Sequence, residues 1–134
     1  MKNVSELHEV LYVSTLAPEA SLQVVAKIAA KSRIANGATG ITGVLIFDGM
    51  RFCQQIEGPR TEVLALIQRI RQDSRHVNVE ILRHGPLEAR RFKRFALGYV
   101  SVDDVEVLAH MEGSGPEQAL TQFLALLPNL DMGG

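Results

Sequence analysis

Residues 41–58 read ITGVLIFDGMRFCQQIEG. The first seven are nearly all apolar, as in a strand buried on both faces. Asp48-Gly49 is a strong hairpin signal, and residues 51–57, RFCQQIE, form the returning strand. Side-chain alternation puts Phe52, Gln54 and Ile56 on one face and Cys53, Gln55 and Glu57 on the other.

Working toward the N-terminus, residues 8–15, HEVLYVST, predict a strand. Val10, Tyr12 and Ser14 share one face of it, Leu11 and Val13 the other. Residues 21–35 predict a helix with Ser21 as a potential cap. Leu22, Val25, Ile28, Ala29 and Ser32 share one face, and Gly37 and Gly40 punctuate its end.

On the other side of the hairpin, Gly58-Pro59 opens a second helix. Val63, Leu66, Ile67 and Ile70 give it a single apolar stripe. Residues 76–83 and 95–102 predict two more strands joined through Gly85-Pro86. After Glu-Gly-Ser-Gly-Pro at 112–116 comes a short amphipathic helix, 116–127, carrying Leu120, Phe123, Leu124 and Leu127.

The order β-α-β-β-α-β(-β) is the split βαβ, ferredoxin-like arrangement of the α+β class. Both long helices then cover one face of the sheet. The C-terminal helix covers the other, where Leu11, Val13 and Cys53 would otherwise be bare.

Composition agrees with a single soluble domain. The chain has 134 residues, 46% hydrophobic and 22% charged. A domain of this size buries about two thirds of its unfolded surface, so it needs no disulfide or structural metal. The net charge of −1 argues against a general nucleic-acid binder. One cysteine, Cys53, and scattered histidines at 8, 76, 84 and 110 give no metal-ligand spacing. No run of 18 apolar residues marks a membrane span. The N-terminus does not resemble a signal peptide, so a cytoplasmic setting is expected.

Several polar residues stand where packing prefers apolar ones. Gln54 lies between Phe52 and Ile56 on the face turned to the helices. Its amide either bonds Tyr12 or backbone as a structural pair, or faces a bound polar heterocycle between the helices. Asn36 is either a helix-terminal turn residue or a donor–acceptor pair for the same ligand. Arg69 and Arg71 suit the C-terminal end of their helix as solvated cations. Asp73 is less comfortable there, and either pairs with Arg75 or accepts a ligand hydroxyl. Asp73 and His76 suggest an acid–base pair, but no Ser or Cys nucleophile is expected beside them, which argues against hydrolysis. Cys53 faces away from Gln54 and reads as a small core hydrophobe. Arg90-Arg91-Phe92-Lys93-Arg94 reads as a solvated turn.

Five segments together resemble the BLUF family, the blue-light sensors that use flavin. They are Leu11-Tyr12-Val13-Ser14, Ser32-Arg33-Ile34-Ala35-Asn36, Gly40-Ile41-Thr42-Gly43-Val44-Leu45, Phe52-Cys53-Gln54-Gln55-Ile56-Glu57-Gly58 and Asp73-Ser74-Arg75-His76. The resemblance implies a photosensor domain over 7–102 and a helical extension over 103–134, packed on the sheet or a neighbouring subunit. It implies non-covalent flavin, FAD with FMN or riboflavin possible, held by Ser32, Asn36, Gln54, Arg69, Asp73, Arg75 and His76. Tyr12 and Gln54 would be the photoactive switch. Proton-coupled electron transfer from Tyr12 and rearrangement of the Gln54 amide would yield a red-shifted state. That state would pass to an unidentified output protein in a homo-oligomer, without catalysis and without nucleic acid, membrane or metal.

Three positions depart from the family pattern. Ala35 replaces a polar residue before Asn36, and Phe95 and Leu97 replace the usual tryptophan and methionine of the last, output-bearing strand. Two other classes fit the fold: a flavin-free ferredoxin-like interaction module, and a small acylphosphatase-type enzyme. The second would want an arginine in a phosphate-cradling loop, which Gly37 to Gly43 lacks.

Overall fold

The computed structural model describes residues 6–21, 23–92, 98–101 and 108–127. Five strands form one sheet in the order β4-β1-β3-β2-β5. They are β1 (Leu7–Leu16), β2 (Thr42–Phe47), β3 (Arg51–Pro59), β4 (His76–Pro86) and β5 (Gly98–Ser101). The first four pair antiparallel, and β5 adds a parallel edge beside β2. Helices α1 (Gln23–Thr39) and α2 (Arg60–Gln72) make the two crossovers, and α3 (Pro116–Ala125) follows the sheet. The architecture is the ferredoxin-like α+β fold that the element order predicts.

The two sheet faces carry separate cores. On the inner face Val25, Ile28 and Ala29 of α1 pack on Leu45, Phe47 and Phe52. Val63 and Ile67 of α2 pack on Val10, Tyr12 and Ile56. On the outer face Leu11, Val13, Val44, Ile46 and Cys53 meet Ala119 and Phe123 of α3. The C-terminal helix therefore covers the outer face, as the bare apolar side of β1 and β3 requires.

At Gly43 the two hairpin strands come so close that a Cβ would stand 2.1 Å from the Gln55 carbonyl oxygen. In the hairpin turn Asp48 Oδ1 accepts the Met50 and Arg51 N–H groups at 2.9 and 2.7 Å, the turn-forming habit of Asp.

Local expectations needed four corrections. Helix α1 runs through Gly37 to Thr39 and ends at Gly40, whose φ of +75° suits a left-handed helix terminus. At its start the Ser21 carbonyl accepts the Val24 N–H at 3.0 Å, and among the described residues no hydrogen bond makes the Ser21 side chain a cap. Strand β4 continues past residue 83 through Gly85-Pro86. It is irregular against β1, with register shifts at Leu11/Tyr12 and Val13/Thr15 and Asn78 at φ 55°.

The fourth correction concerns the basic run. Arg91 is no solvated turn residue: its guanidinium sits 2.7 Å from Glu9 Oε1 and 3.7 Å from Glu57 Oε2. Arg90 donates to Thr42 Oγ1 and the Gly40 carbonyl at 2.9 and 2.8 Å. Two buried carboxylates, Glu9 and Glu57, attract Arg91 to the outer face of the sheet, while Arg90 bonds neutral oxygens. Lys93, Arg94, Phe95 and Leu97 lie outside the described residues.

Candidate functional site

A cleft of about 770 Å³, counting its open mouth, lies between α1 and α2 over the inner face of the sheet. Its walls include Tyr12, Ser32, Asn36, Gln54, Arg69, Asp73, Arg75 and His76. Every flavin-contact and switch residue expected from the sequence is thus in one cavity. Strand alternation aims Tyr12 and Gln54 inward, and helical spacing stacks Ser32 one turn before Asn36. Asn36 is not the helix-terminal residue expected: it sits inside the last turns of α1 and is buried.

Tyr12 and Gln54 occupy the cleft floor. They are cross-strand partners, and the phenol O–H donates to Gln54 Oε1 at 2.7 Å with both groups buried. Burial pushes the Tyr12 phenol well above its ordinary pKa, reinforced by the nearby Cys53 and Asp73. The Gln54 amide nitrogen makes no hydrogen bond to a described residue, so the amide offers donors to the cleft.

At one side Asp73 and Arg75 form a bidentate pair, with Nε–Oδ1 2.9 Å and Nη2–Oδ2 2.7 Å. That bonding holds the Asp73 carboxyl down at about 2 and raises the Arg75 guanidinium. His76 is buried, and burial lowers its pKa; Asp73 raises it and Arg75 lowers it by smaller amounts. Its ring packs on Phe52 at 4.7 Å between centroids.

A serine does stand beside this histidine, contrary to the sequence expectation: Ser14 Oγ is 3.0 Å from His76 Nδ1. The pair does not make a hydrolytic triad. The Asp73 carboxylate is spent on Arg75 rather than on the imidazole, and Ser14 is not part of the cleft wall.

The sequence reading missed Ile28, Lys31, Ala35, Leu45, Leu66 and Ile70, which also line the cleft. Ile28, Leu66 and Ile70 are members of the apolar stripes already identified, and nothing in periodicity separates a stripe residue facing a ligand from one facing the core. Cys53 belongs to the outer core, its thiol 3.9 Å from Met111 Sδ. No thiol adduct with a cleft ligand is available to it.

The donor set fits a flavin. Ile28, Leu45, Leu66 and Ile70 supply apolar walls for a flat ring system, and the Gln54 amide supplies a donor without an acceptor among the described residues for its polar edge. Among the described residues no cluster of His, Cys, Asp or Glu could hold a metal, and no helix is long and apolar enough to cross a membrane.

Comparison with known proteins agrees. The family profile described as "Sensors of blue-light using FAD", BLUF, matches residues 7–98. The blue light- and temperature-regulated antirepressor BluF of Escherichia coli K12 is 30% identical over 86 residues, 64% of this chain and 21% of that protein. The photoactivated adenylate cyclase subunit beta of Euglena gracilis is 42% identical over 55 residues, 41% of this chain and 6% of that one. The chain therefore spans only a small part of these relatives' length. Among solved structures, the dark state of BlrB, a BLUF protein, superposes with a TM-score of 0.77 at 31% identity, covering 93% of this chain and all of that one. The photo-activated state of BlsA gives 0.76 at 25% identity, with 96% and 99% covered. With its fold, its cleft and a profile match over most of its length, the chain belongs to the BLUF family of flavin-using blue-light sensors.

Proposed function

We propose that Tyr12 and Gln54 are the photoactive switch of this sensor, with FAD as the flavin in the cleft. One observation carries the reading: the buried 2.7 Å bond from the Tyr12 phenol to Gln54 Oε1, with the amide nitrogen left for the ligand.

A bound flavin supplies blue-light absorption and an acceptor for one electron from a phenol. Tyr12 cannot readily give up charge alone, because the buried site disfavours leaving an ion behind. Its proton has one hydrogen-bonded exit among the described residues, Gln54 Oε1, so electron and proton would leave together for the flavin, the proton by way of the Gln54 amide. Both would return to Tyr12 on recombination, leaving the Gln54 amide rearranged, by rotation or tautomerisation, so that it exchanges what it presents to Tyr12 and to the cleft. Each such bond is worth roughly 1 kcal/mol, enough to bias a two-state element without a covalent change.

Asn36 and Ser32 hold the ring edge from α1. Arg69, Asp73, Arg75 and His76 hold the ring and its ribityl chain from α2 and the start of β4. Residues 7–102 act as the photosensor and 103–134 as its extension. The signal leaves through the segment of sequence that carries Phe95 and Leu97 and leads into β5, and through α3 to a cytoplasmic output protein or a change in homo-oligomeric state. The photosensor itself performs no catalysis. The test is the absorption spectrum of the purified protein in the dark and under blue light. A flavin spectrum that shifts slightly red and recovers in the dark supports the reading; a colourless protein rejects it.

A further inference from the structure

Ser14 and His76 form a second polar pair on the inner face of the sheet. Ser14 follows Tyr12 on the same face of β1 and lies opposite Phe52. Its side chain is sealed, at 1% exposure, and the imidazole is 7% exposed. We propose that Ser14 is a positioning residue: by donating its hydrogen to Nδ1 it holds His76 as the neutral tautomer protonated at Nε2. His76 then offers the cleft an N–H donor for an acceptor atom of the flavin, a carbonyl oxygen or an unprotonated ring nitrogen. The identity of the ligand rests on the flavin reading above; the tautomer does not.

Donor accounting carries the assignment. The Ser14 hydroxyl has one hydrogen and, among the described residues, one side-chain partner, His76 Nδ1 at 3.0 Å. A proton on Nδ1 would donate to Oγ and leave the serine hydrogen buried without an acceptor among the described residues. Buried donors are almost always satisfied, so the hydrogen goes to Nδ1 and the imidazole proton to Nε2. Nε2 makes no hydrogen bond to a described residue, while the ring forms part of the cleft wall. The doubly protonated form is disfavoured by burial. Arg75, Lys31 and Arg69, cations of the same cleft, oppose a further positive charge. Asp73 favours it, but its carboxylate is engaged by Arg75.

The Gln54 amide nitrogen and His76 Nε2 are then two donors turned to one cavity. A ligand edge rich in acceptors satisfies both, which is a further match to an isoalloxazine and a poor match to a cation.

The experiment is nitrogen NMR of isotope-labelled histidine in the protein as purified, at neutral pH. The expected result is an unprotonated Nδ1 and a protonated Nε2 for His76. Ser14→Ala loses that preference and weakens flavin retention about fivefold, the equivalent of one neutral hydrogen bond. Ser14→Thr keeps the hydroxyl and restores both. A protonated Nδ1 in the parent protein overturns the proposal, as does Ser14→Ala with an unchanged tautomer. Should Ser14→Ala fail to fold, the parent and Ser14→Thr spectra decide. A protein without flavin whose tautomer still depends on Ser14 upholds the positioning role and removes the flavin reading; a flavin-loaded protein with a protonated Nδ1 does the reverse.

Discussion

Tyr12 and Gln54 face each other across the two central strands, and the phenol donates to the amide oxygen at 2.7 Å. The contact is side chain to side chain, inside the sheet's inner core. The rigid pairing of β1 with β3 sets its geometry, so neither partner depends on a loop. A switch built this way can rearrange one amide while the backbone around it stays paired.

Gln54→Leu keeps the apolar volume and removes the amide. Flavin binding should survive through the remaining cleft contacts, and the light-induced red shift should vanish. Difference absorption spectroscopy on the loaded variant checks this; a shift of parental size would remove Gln54 from the switch.

Tyr12→Phe deletes the donor and leaves Gln54 Oε1 buried without its partner. The unfolding free energy should fall by about 1–3 kcal/mol, the cost of an orphaned buried group. Urea denaturation measures that loss. Illumination of the folded variant should produce no red-shifted state if Tyr12 is the electron and proton source proposed above.

Gly43→Ala tests the closeness of β2 and β3. Its Cβ would stand 2.1 Å from the Gln55 carbonyl oxygen, and that atom is backbone, so the strands must separate. The expected penalty is at or above the upper end of the usual overpacking range of about 1–3 kcal/mol. The hairpin carries Gln54 and Leu45 of the cleft wall, so flavin retention should fall with stability in the same variant.

Much of this site is legible in the sequence because strand alternation is a strict rule. An amide at 54 between Phe52 and Ile56 is an anomaly on a dry face, and Tyr12 falls on the matching face of β1. Asn36 was harder to place, since Gly37 suggests a helix end and the helix runs through it. The Ser14–His76 contact spans 62 residues and crosses the irregular pairing of β4 with β1. No local period reaches that far. The basic run at 90–94 misleads for a related reason: Glu9 and Glu57, which hold Arg91, are distant in sequence and buried on the opposite face from the cleft.

Glu57→Ala examines that outer-face network. Glu57 is fully buried, and its Oε1 accepts the backbone N–H groups of Arg91 and Phe92 at 2.8 and 3.1 Å. Its Oε2 accepts the Gln55 amide at 3.1 Å. Removing the carboxylate orphans the two backbone donors and leaves the Gln55 amide and Arg91 on Glu9 alone. The expected loss is about 1–3 kcal/mol for each buried donor left without an acceptor. Glu57→Gln retains one acceptor oxygen and should lose less. Urea midpoints of the two variants order the effects, and equal midpoints for parent and Glu57→Ala would show that the network contributes nothing.

Acid should weaken the cleft from the Asp73 side. The Arg75 guanidinium holds the Asp73 carboxyl at about 2 in the folded chain, below its ordinary 3.8. A depressed folded pKa means that the unfolded chain binds the proton more readily. The contribution to stability is therefore complete above the ordinary carboxylate range and drains away as pH falls toward about 2. Glu9 acts in the same direction: burial pushes its pKa up, but bonds from Gln55 and Arg91 bring it below its usual value. Thermal unfolding followed from neutral pH downward should show a falling midpoint. Asp73→Asn cannot titrate, so its midpoint should decline less steeply over that acid interval. Identical slopes in parent and variant would mean that the Asp73–Arg75 pair is not coupled to folding, and that the orientation of Arg75 in the cleft does not depend on it.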